Sequence, residues 1–584
     1  MSVQQTSSLP SGPIDTRPAE WGSDLIADQL RSFGIPYVSL TPGSSYRGLH
    51  DSIVNHLGNA DPGMVLCLAE EHAVAVAHGY AKVTGQPMLV ALHANVGLMH
   101  AVMAIYNAYC DRVPMLIIGA NGPVDAAARR PWIDWLHSSG DPGALIRQFV
   151  RWDDAPVSLA ASLESLVRGL QLTTSYPSAP TYVALDVSVQ EQPLDSALQT
   201  LPVERYRAAT PAVPAPEVVA ELAERLCGAH TPLILCGRVT RDVDAWERRI
   251  RLAEAVSARV GTDLRVGSTF PTAHPLHAGT PGYMPRAELL QAVRDADVIL
   301  SLDWIDLGGL LRAANGDRST AATVISCTAD GTLHNGWSKD HFELSAADIH
   351  LAVEPDILVA ALVAELAAAP RPAAVAPTRT LLERDDADLA ATPTIADLTT
   401  ALGVAVEGRD VCLARVPLGW AADRWDFVHP LDCLGADGGG GVGSGPGMTV
   451  GAALALRDDD RLVVGVLGDG DTLMGASALW TAAHLKLPML VVVANNGSFY
   501  NDEIHQTRVA KRRDRPVDNA PVGVRIDGPR PDLAQHVKGL GLTAFGPVTT
   551  GEELETVLRE AVTLAEDGPV IVDVHIVRDA YQLG

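Results

Sequence analysis

The chain has 584 residues, 47% hydrophobic and 20% charged, with a formal net charge of -26 at neutral pH. That length exceeds what one hydrophobic core supports and implies several domains. No apolar run approaches the ~18 residues that cross a bilayer, and so large an acidic excess disfavours nonspecific nucleic-acid binding, which rewards cations through counterion release.

The opening stretch MSVQQTSSLPSGPID lacks a basic start and an apolar centre. It is expected to be a mobile arm rather than a secretory signal, with the cytoplasm as the location and no membrane partner. Seven cysteines, Cys67, Cys110, Cys227, Cys236, Cys327, Cys412 and Cys433, include no CxxC pair. This argues for reduced, mostly buried thiols rather than a disulfide framework or a zinc site.

From residue 16 to 187, short apolar runs at 37–40, 64–68, 88–92, 115–118 and 182–187 alternate with helical stretches, the pattern of a parallel α/β domain. Residues 188–215 are proline-rich and aperiodic and read as a linker. A second α/β domain follows over 216–366, with strands expected at 233–236, 298–302 and 324–327. It has no GxGxxG phosphate-binding turn, and FAD is not expected there. Residues 367–393, dense in alanine, proline and charge, form a second linker before a last α/β domain over 394–584. The fold class is therefore three α/β domains with parallel sheets.

The first domain carries LAEEHAVAVAHGYAKVTG at 68–85, a strand end followed by an alanine- and valine-rich helix. Glu70 and Glu71 stand in its first turn, where acids also complement the helix dipole without any catalytic part. Ser44 lies in a turn after a strand, in the tetrapeptide 41–44 (TPGS). His93 lies at a strand end, and His274 in the segment 270–275 (FPTAHP). A lone loop histidine is more often structural than catalytic.

The last domain holds the most specific pattern. An apolar strand at 461–467 runs into Gly468-Asp469-Gly470, a helical stretch at 473–485 follows, and a second buried strand at 489–494 ends on Asn495-Asn496. A parallel βαβ unit brings both polar clusters to one sheet edge. Glycines there admit a diphosphate to a helix N-terminus, and Asp469 with the Asn496 amide offers oxygens to a hard cation. The GDG and NN pairs are separated by 24 residues, 471 to 494. Together they resemble the fingerprint of the thiamine diphosphate-dependent enzymes, the group of pyruvate decarboxylase, acetolactate synthase and benzoylformate decarboxylase.

That resemblance implies a set of roles. Asp469, Asn496 and the Ser498 carbonyl would hold Mg2+, with Gly468, Gly470 and Asp471 around the diphosphate. The glycine run 438–441 and Val442 would bend the cofactor, Val442 wedging under its rings and the Gly440 carbonyl accepting its amino group. Glu70, nine residues before the glycine of Gly79-Tyr80-Ala81, would bond to the aminopyrimidine and activate it. Ser44, His93 and His274 match positions that bind the substrate carboxylate and move protons in benzoylformate decarboxylases.

Asp502, six residues beyond Asn496, replaces an apolar residue of those enzymes; it either assists protonation or belongs, with Glu503, to a solvated acid pair at a helix start. His100 stands where several relatives have asparagine. The cluster 132–135 (WIDW) is expected to serve core or interface packing, and Arg508, Lys511, Arg512, Arg513 and Arg515 form either a solvated face or a site for an anionic group.

The implied activity is nonoxidative decarboxylation of a small-molecule 2-oxo acid to an aldehyde, with carboligation of the acetolactate synthase type as the alternative and a noncatalytic cofactor-binding subunit as a third. A homodimer is the expected minimum and a homotetramer the expected assembly.

Overall fold

The computed structural model describes residues 9, 17–194, 198–316, 319–333, 343–367 and 391–578. The opening arm apart from Leu9, and most of the second linker, lie outside the described residues.

Three parallel sheets follow one another along the chain. The first has strands β1 (Tyr37–Leu40), β2 (Gly63–Leu66), β3 (Met88–Ala91), β4 (Met115–Asn121), β5 (Trp152–Asp154) and β6 (Pro180–Asp186), in the order β2-β1-β3-β4-β6-β5. The second has β7 (Pro232–Cys236), β8 (Arg259–Gly261), β9 (Val298–Leu302), β10 (Thr323–Cys327) and β11 (Ile349–Leu351), ordered β11-β10-β9-β7-β8. The third has β12 (Val411–Arg415), β13 (Leu462–Gly468), β14 (Met489–Asn495), β15 (Thr543–Val548) and β16 (Pro569–His575), ordered β12-β13-β14-β16-β15.

The central strands are continuous apolar runs because helices cover both faces of a parallel sheet; β6 and β14 are buried along their whole length. β5, β8 and β11 have three residues each, and β5 (WDD) carries no apolar run, so composition did not announce them. The described residues of 188–215 are tied to the first domain. Leu194 and Leu201 pack on the N-terminal core, and the Gln29 side chain bonds both the amide and the carbonyl of Leu201. Six of the seven cysteines are buried, and all seven are free. Among the described residues no helix is long and apolar enough to cross a membrane.

The first and third domains meet through the helices Glu70–Thr84 and Gly445–Ala455. Their backbones approach closely because glycines line the crossing. A Cβ on Gly79 would lie 2.0 Å from the Met448 carbonyl oxygen, and one on Gly451 would lie 1.9 Å from that of Val76. One apolar core therefore runs through both domains, with Val74, Ala77, Val450 and Leu454 in the same cluster.

Polar pins fix the register. The Thr481 hydroxyl donates to the Leu66 carbonyl at 2.8 Å, and Ser477 Oγ lies 3.1 Å from His72 Nδ1. Lys82 bonds Asp111 and donates to the Ala436 carbonyl, reaching from the first domain to the third. Burial would push the Asp111 carboxyl up, but Lys82 and His78 pull it well below the usual carboxylate range.

His72 gives this junction a pH dependence. Burial lowers its imidazole from 6.5 to about 4. Because the folded value is the lower one, the unfolded chain binds the proton first on acidification. Stability present above pH 6.5 is thus lost as pH falls towards 4, by up to about 3 kcal/mol. Denaturant melts of the parent and His72→Gln across that window should show a smaller acid loss in the variant; equal losses would deny His72 this part.

Candidate active site

β13 and β14 pair in parallel with Gly468 opposite Ala494, so the GDG and NN clusters lie side by side at the carboxyl ends of both strands. No turn separates strand from helix: Gly468 ends β13, and Asp469 begins the helix Asp469–Gly475. The single helix expected over 473–485 is instead two, the second being Ala478–Leu485. Close packing explains the break, since a Cβ on Gly475 would lie 2.3 Å from the Gly443 carbonyl oxygen.

Asp469 is buried, and its two oxygens accept the Gly470 amide at 2.9 Å and the Gly497 amide at 2.6 Å. Burial raises its pKa, while those amides oppose the shift. The Asn496 side-chain oxygen accepts the Ser498 amide at 3.0 Å. The Ser498 hydroxyl donates to Glu503, which is paired with Arg525 at 2.6 Å. Glu503 is therefore a buttress of the loop, whereas Asp502 beside it is exposed.

Asp471 accepts the amides of Gly443 and Gly445 at 2.7 and 3.3 Å. It shapes the glycine loop from beneath. Asp437 does the same from the other side, accepting the Gly440 amide at 2.8 Å, the Ser444 hydroxyl at 3.0 Å and Arg415 at 3.2 Å. From the first domain, Asn107 accepts the Gly441 amide at 3.2 Å and donates to its carbonyl at 3.4 Å. Sequence reasoning missed Asp437, Arg415 and Asn107, and also Arg578, whose Nε donates to the Asn496 carbonyl at 2.8 Å. Asp437 alone had a signal, its place just before the glycine run.

These pieces enclose a cavity of about 380 Å³. Gly440, Val442, Gly468, Asp469, Gly470, Asp471, Asn496, Ser498 and Asp502 all line it, with apolar walls from Leu418, Tyr500 and Ile576. The donors expected for a metal are one carboxylate, one carboxamide and one backbone carbonyl. Among the described residues no group of three His, Cys, Asp or Glu gathers to hold a metal. An all-oxygen set suits a hard cation such as Mg2+ that also takes phosphate oxygens, and the adjoining helix N-terminus suits the phosphates.

Every residue of the cavity wall belongs to the third domain. Glu70 and His93 stand on the first, in a separate cluster. The Glu70 carboxylate lies 3.4 Å from His100 Nδ1 and faces Gly97, where a Cβ would come within 3.1 Å of it. His93 precedes the helix Ala94–Cys110. Burial lowers its pKa, and so does His137, whose ring meets it edge-on at 4.5 Å.

Ser44 is exposed, and its neighbour Ser45 is the buried serine whose hydroxyl lies 2.8 Å from His93 Nδ1. His274 is buried in the second domain, with Nε2 3.2 Å from Glu254 and Nδ1 accepting the Leu276 amide. Trp132 and Trp135 are 69% and 80% exposed and so are not core residues. The basic run 508–515 is exposed at the far end of the helix Tyr500–Arg512 and after it, away from the cavity wall.

Gly497 tests the loop. It has φ +68°, and a Cβ there would lie 2.6 Å from the Arg530 guanidinium. Gly497→Ala should cost about 1–3 kcal/mol in denaturant unfolding; a neutral result would mean the loop is not held as described.

Comparison with known proteins identifies the three domains. Residues 20–140 match the family described as thiamine pyrophosphate enzyme, N-terminal TPP binding domain; 219–309 match its central domain, and 417–574 its C-terminal TPP binding domain. The chain is 27% identical over 516 residues to a benzoylformate decarboxylase of Pseudomonas aeruginosa, covering 87% of this chain and 91% of that one. It is 24% identical over 507 residues to the acetolactate synthase isozyme 1 large subunit of Escherichia coli, covering 83% of each. In fold it resembles the 4-hydroxybenzoylformate decarboxylase of Rhodococcus jostii, with a TM-score of 0.77 and 22% identity over 96% of this chain and 99% of that one. The chain belongs to the thiamine diphosphate-dependent enzymes, with all three of their domains in order.

Proposed function

We propose that this enzyme decarboxylates a 2-oxo acid without oxidation and releases an aldehyde, in the manner of benzoylformate decarboxylase, using thiamine diphosphate and Mg2+. The observation that carries the reading is the cavity wall, which unites all the diphosphate, metal and wedge positions with the acid Asp502. Thiamine diphosphate, when bound, supplies a carbon nucleophile and an electron sink for loss of carbon dioxide.

The residues divide the remaining work. Asp469, Asn496 and the Ser498 carbonyl hold the metal, and Gly468 and Gly470 let the backbone approach the diphosphate. Gly440 and Val442 orient the aminopyrimidine, and the Glu70 carboxyl hydrogen-bonds its ring nitrogen. His93 and Ser44 bind the substrate carboxylate, and Asp502 places an acid at the cavity. His274 takes no part at this cavity, being buried with both ring nitrogens bonded within the second domain. The apolar walls exclude water and admit an uncharged acyl group.

Glu70 is likewise absent from that wall, which supports a site completed by a second copy. The minimum assembly is then a homodimer, and a homotetramer in the cytoplasm is the expected form. The alternative, carboligation of the acetolactate synthase type, has the E. coli relative in its favour. Polar His93 and the acid Asp502 favour protonation instead.

Purified protein with thiamine diphosphate and Mg2+ should turn benzoylformate into benzaldehyde, read through a coupled dehydrogenase with pyruvate run beside it. No aldehyde from either acid would favour carboligation. Glu70→Gln should lose at least ~100-fold in rate while still binding cofactor. Co-expression of Glu70→Gln with Asp469→Ala should restore about a quarter of the parent activity if the site is shared between copies, because one of two sites in a mixed dimer is intact; no restoration would place both halves in one chain.

A further inference from the structure

Ser45 is 3% exposed, and its hydroxyl oxygen has two neighbours: His93 Nδ1 at 2.8 Å and the Ala94 amide nitrogen at 3.1 Å. An amide only donates, so Ser45 Oγ accepts from Ala94. Its single proton then needs an acceptor, and among the described residues His93 Nδ1 is the one within reach. Turning that proton elsewhere would leave a buried hydroxyl unpaired, at about 1–3 kcal/mol. The bond direction is therefore from Ser45 to Nδ1, and the ring proton belongs on Nε2.

The surroundings hold the ring to this arrangement. A Cβ on Gly43 would fall 2.4 Å from His93 Cβ and 2.8 Å from Nδ1, so the Gly43 backbone lies against the ring. His137 closes another side edge-on. Gln190 donates to the Ser45 carbonyl at 3.1 Å, fixing the serine in turn. Ala94 keeps φ at +41°, a strained value for a residue with a side chain, and its amide points at Ser45. The charged and titratable groups facing His93 are Glu70, from the helix Glu70–Thr84, and His137. Burial and His137 outweigh Glu70 and favour the uncharged ring.

We infer that Ser45 is a positioning residue that fixes His93 as a neutral imidazole protonated on Nε2, making His93 a hydrogen-bond donor to a substrate oxygen. The inference rests on the proposed decarboxylase reading only for the identity of that oxygen, a carboxylate or carbonyl of the 2-oxo acid. A neutral imidazole with its one proton on Nε2 is too weak an acid to surrender it. It polarises and binds, and the proton that ends on carbon must come from another group.

Neutron diffraction on deuterium-exchanged crystals near pH 7 reads the proton directly. Deuterium on His93 Nε2, with the Ser45 deuteron aimed at Nδ1, is expected; deuterium on Nδ1 overturns the proposal. Kinetics read the role. His93→Gln keeps an N–H donor that cannot ionise and should stay within about tenfold of the parent in kcat, while His93→Leu should lose ~100-fold or more. Ser45→Ala should lower kcat by about tenfold, and Ser45→Thr, which keeps the hydroxyl, should recover most of it. A Gln variant as inactive as Leu would mean that His93 works by ionising, and the donor role falls. Full activity in both, with deuterium still on Nε2, would remove His93 from the reaction and defeat the functional reading while leaving the tautomer standing.

Discussion

The close crossing of the helices Glu70–Thr84 and Gly445–Ala455 is the constraint on which the site depends. Gly79 and Gly451 each face a carbonyl of the opposite helix at a distance no Cβ tolerates. Without side chains between them, the helices bring the first domain against the glycine loop of the third. Asn107 can then clasp Gly441 through both backbone groups, and Lys82 can reach the Ala436 carbonyl. A thicker contact would leave both side chains short of the loop, and its shape would rest on the third domain alone.

The loop also illustrates how flexible backbone is made rigid. Glycines give the turn its positive φ values at Gly438, Gly440 and Gly443, but they lose more conformational entropy on folding than other residues. The compensation is local. Asp437 and Asp471 each accept loop amides, and Arg415 pairs with Asp437. Burial raises the Asp471 pKa, and Arg415 and the amides pull it back. Asp469 binds the amides of Gly470 and Gly497 in the same way, so one acid joins the ends of β13 and β14.

This explains which parts of the molecule were legible from sequence. β13 and β14 are long apolar runs, and a parallel βαβ unit has its strand ends at one edge, so Asp469 and Asn496 could be brought together without a structure. Ser44 and Ser45 could not be told apart. Their direction is set by the short 3₁₀ turn Ser44–Tyr46, which leaves one serine in solvent and buries the other against His93, and hydrophobic periodicity carries no information about three residues. Arg578 was illegible for another reason: its bond to Asn496 spans 82 positions and belongs to tertiary packing. The break at Gly475 likewise answers to Gly443, which a pattern within the helix cannot see.

The division of the site between domains has a physical logic of its own. The cavity on the third domain gathers the positions suited to phosphate and metal at rigid strand ends, whereas Glu70 and His93 sit on a face with exposed apolar side chains. Met99 and Met103 on the helix Ala94–Cys110 are 52% and 42% exposed, and Trp132 and Trp135 are exposed near His137. Large apolar groups on a surface are costly in water and suit contact with another molecule. A second copy that covers this face with its own cavity edge would bury the methionines and tryptophans and bring an acid to the far end of the cofactor. Water would leave the reacting centre in the same step, so assembly and catalysis would draw on one surface.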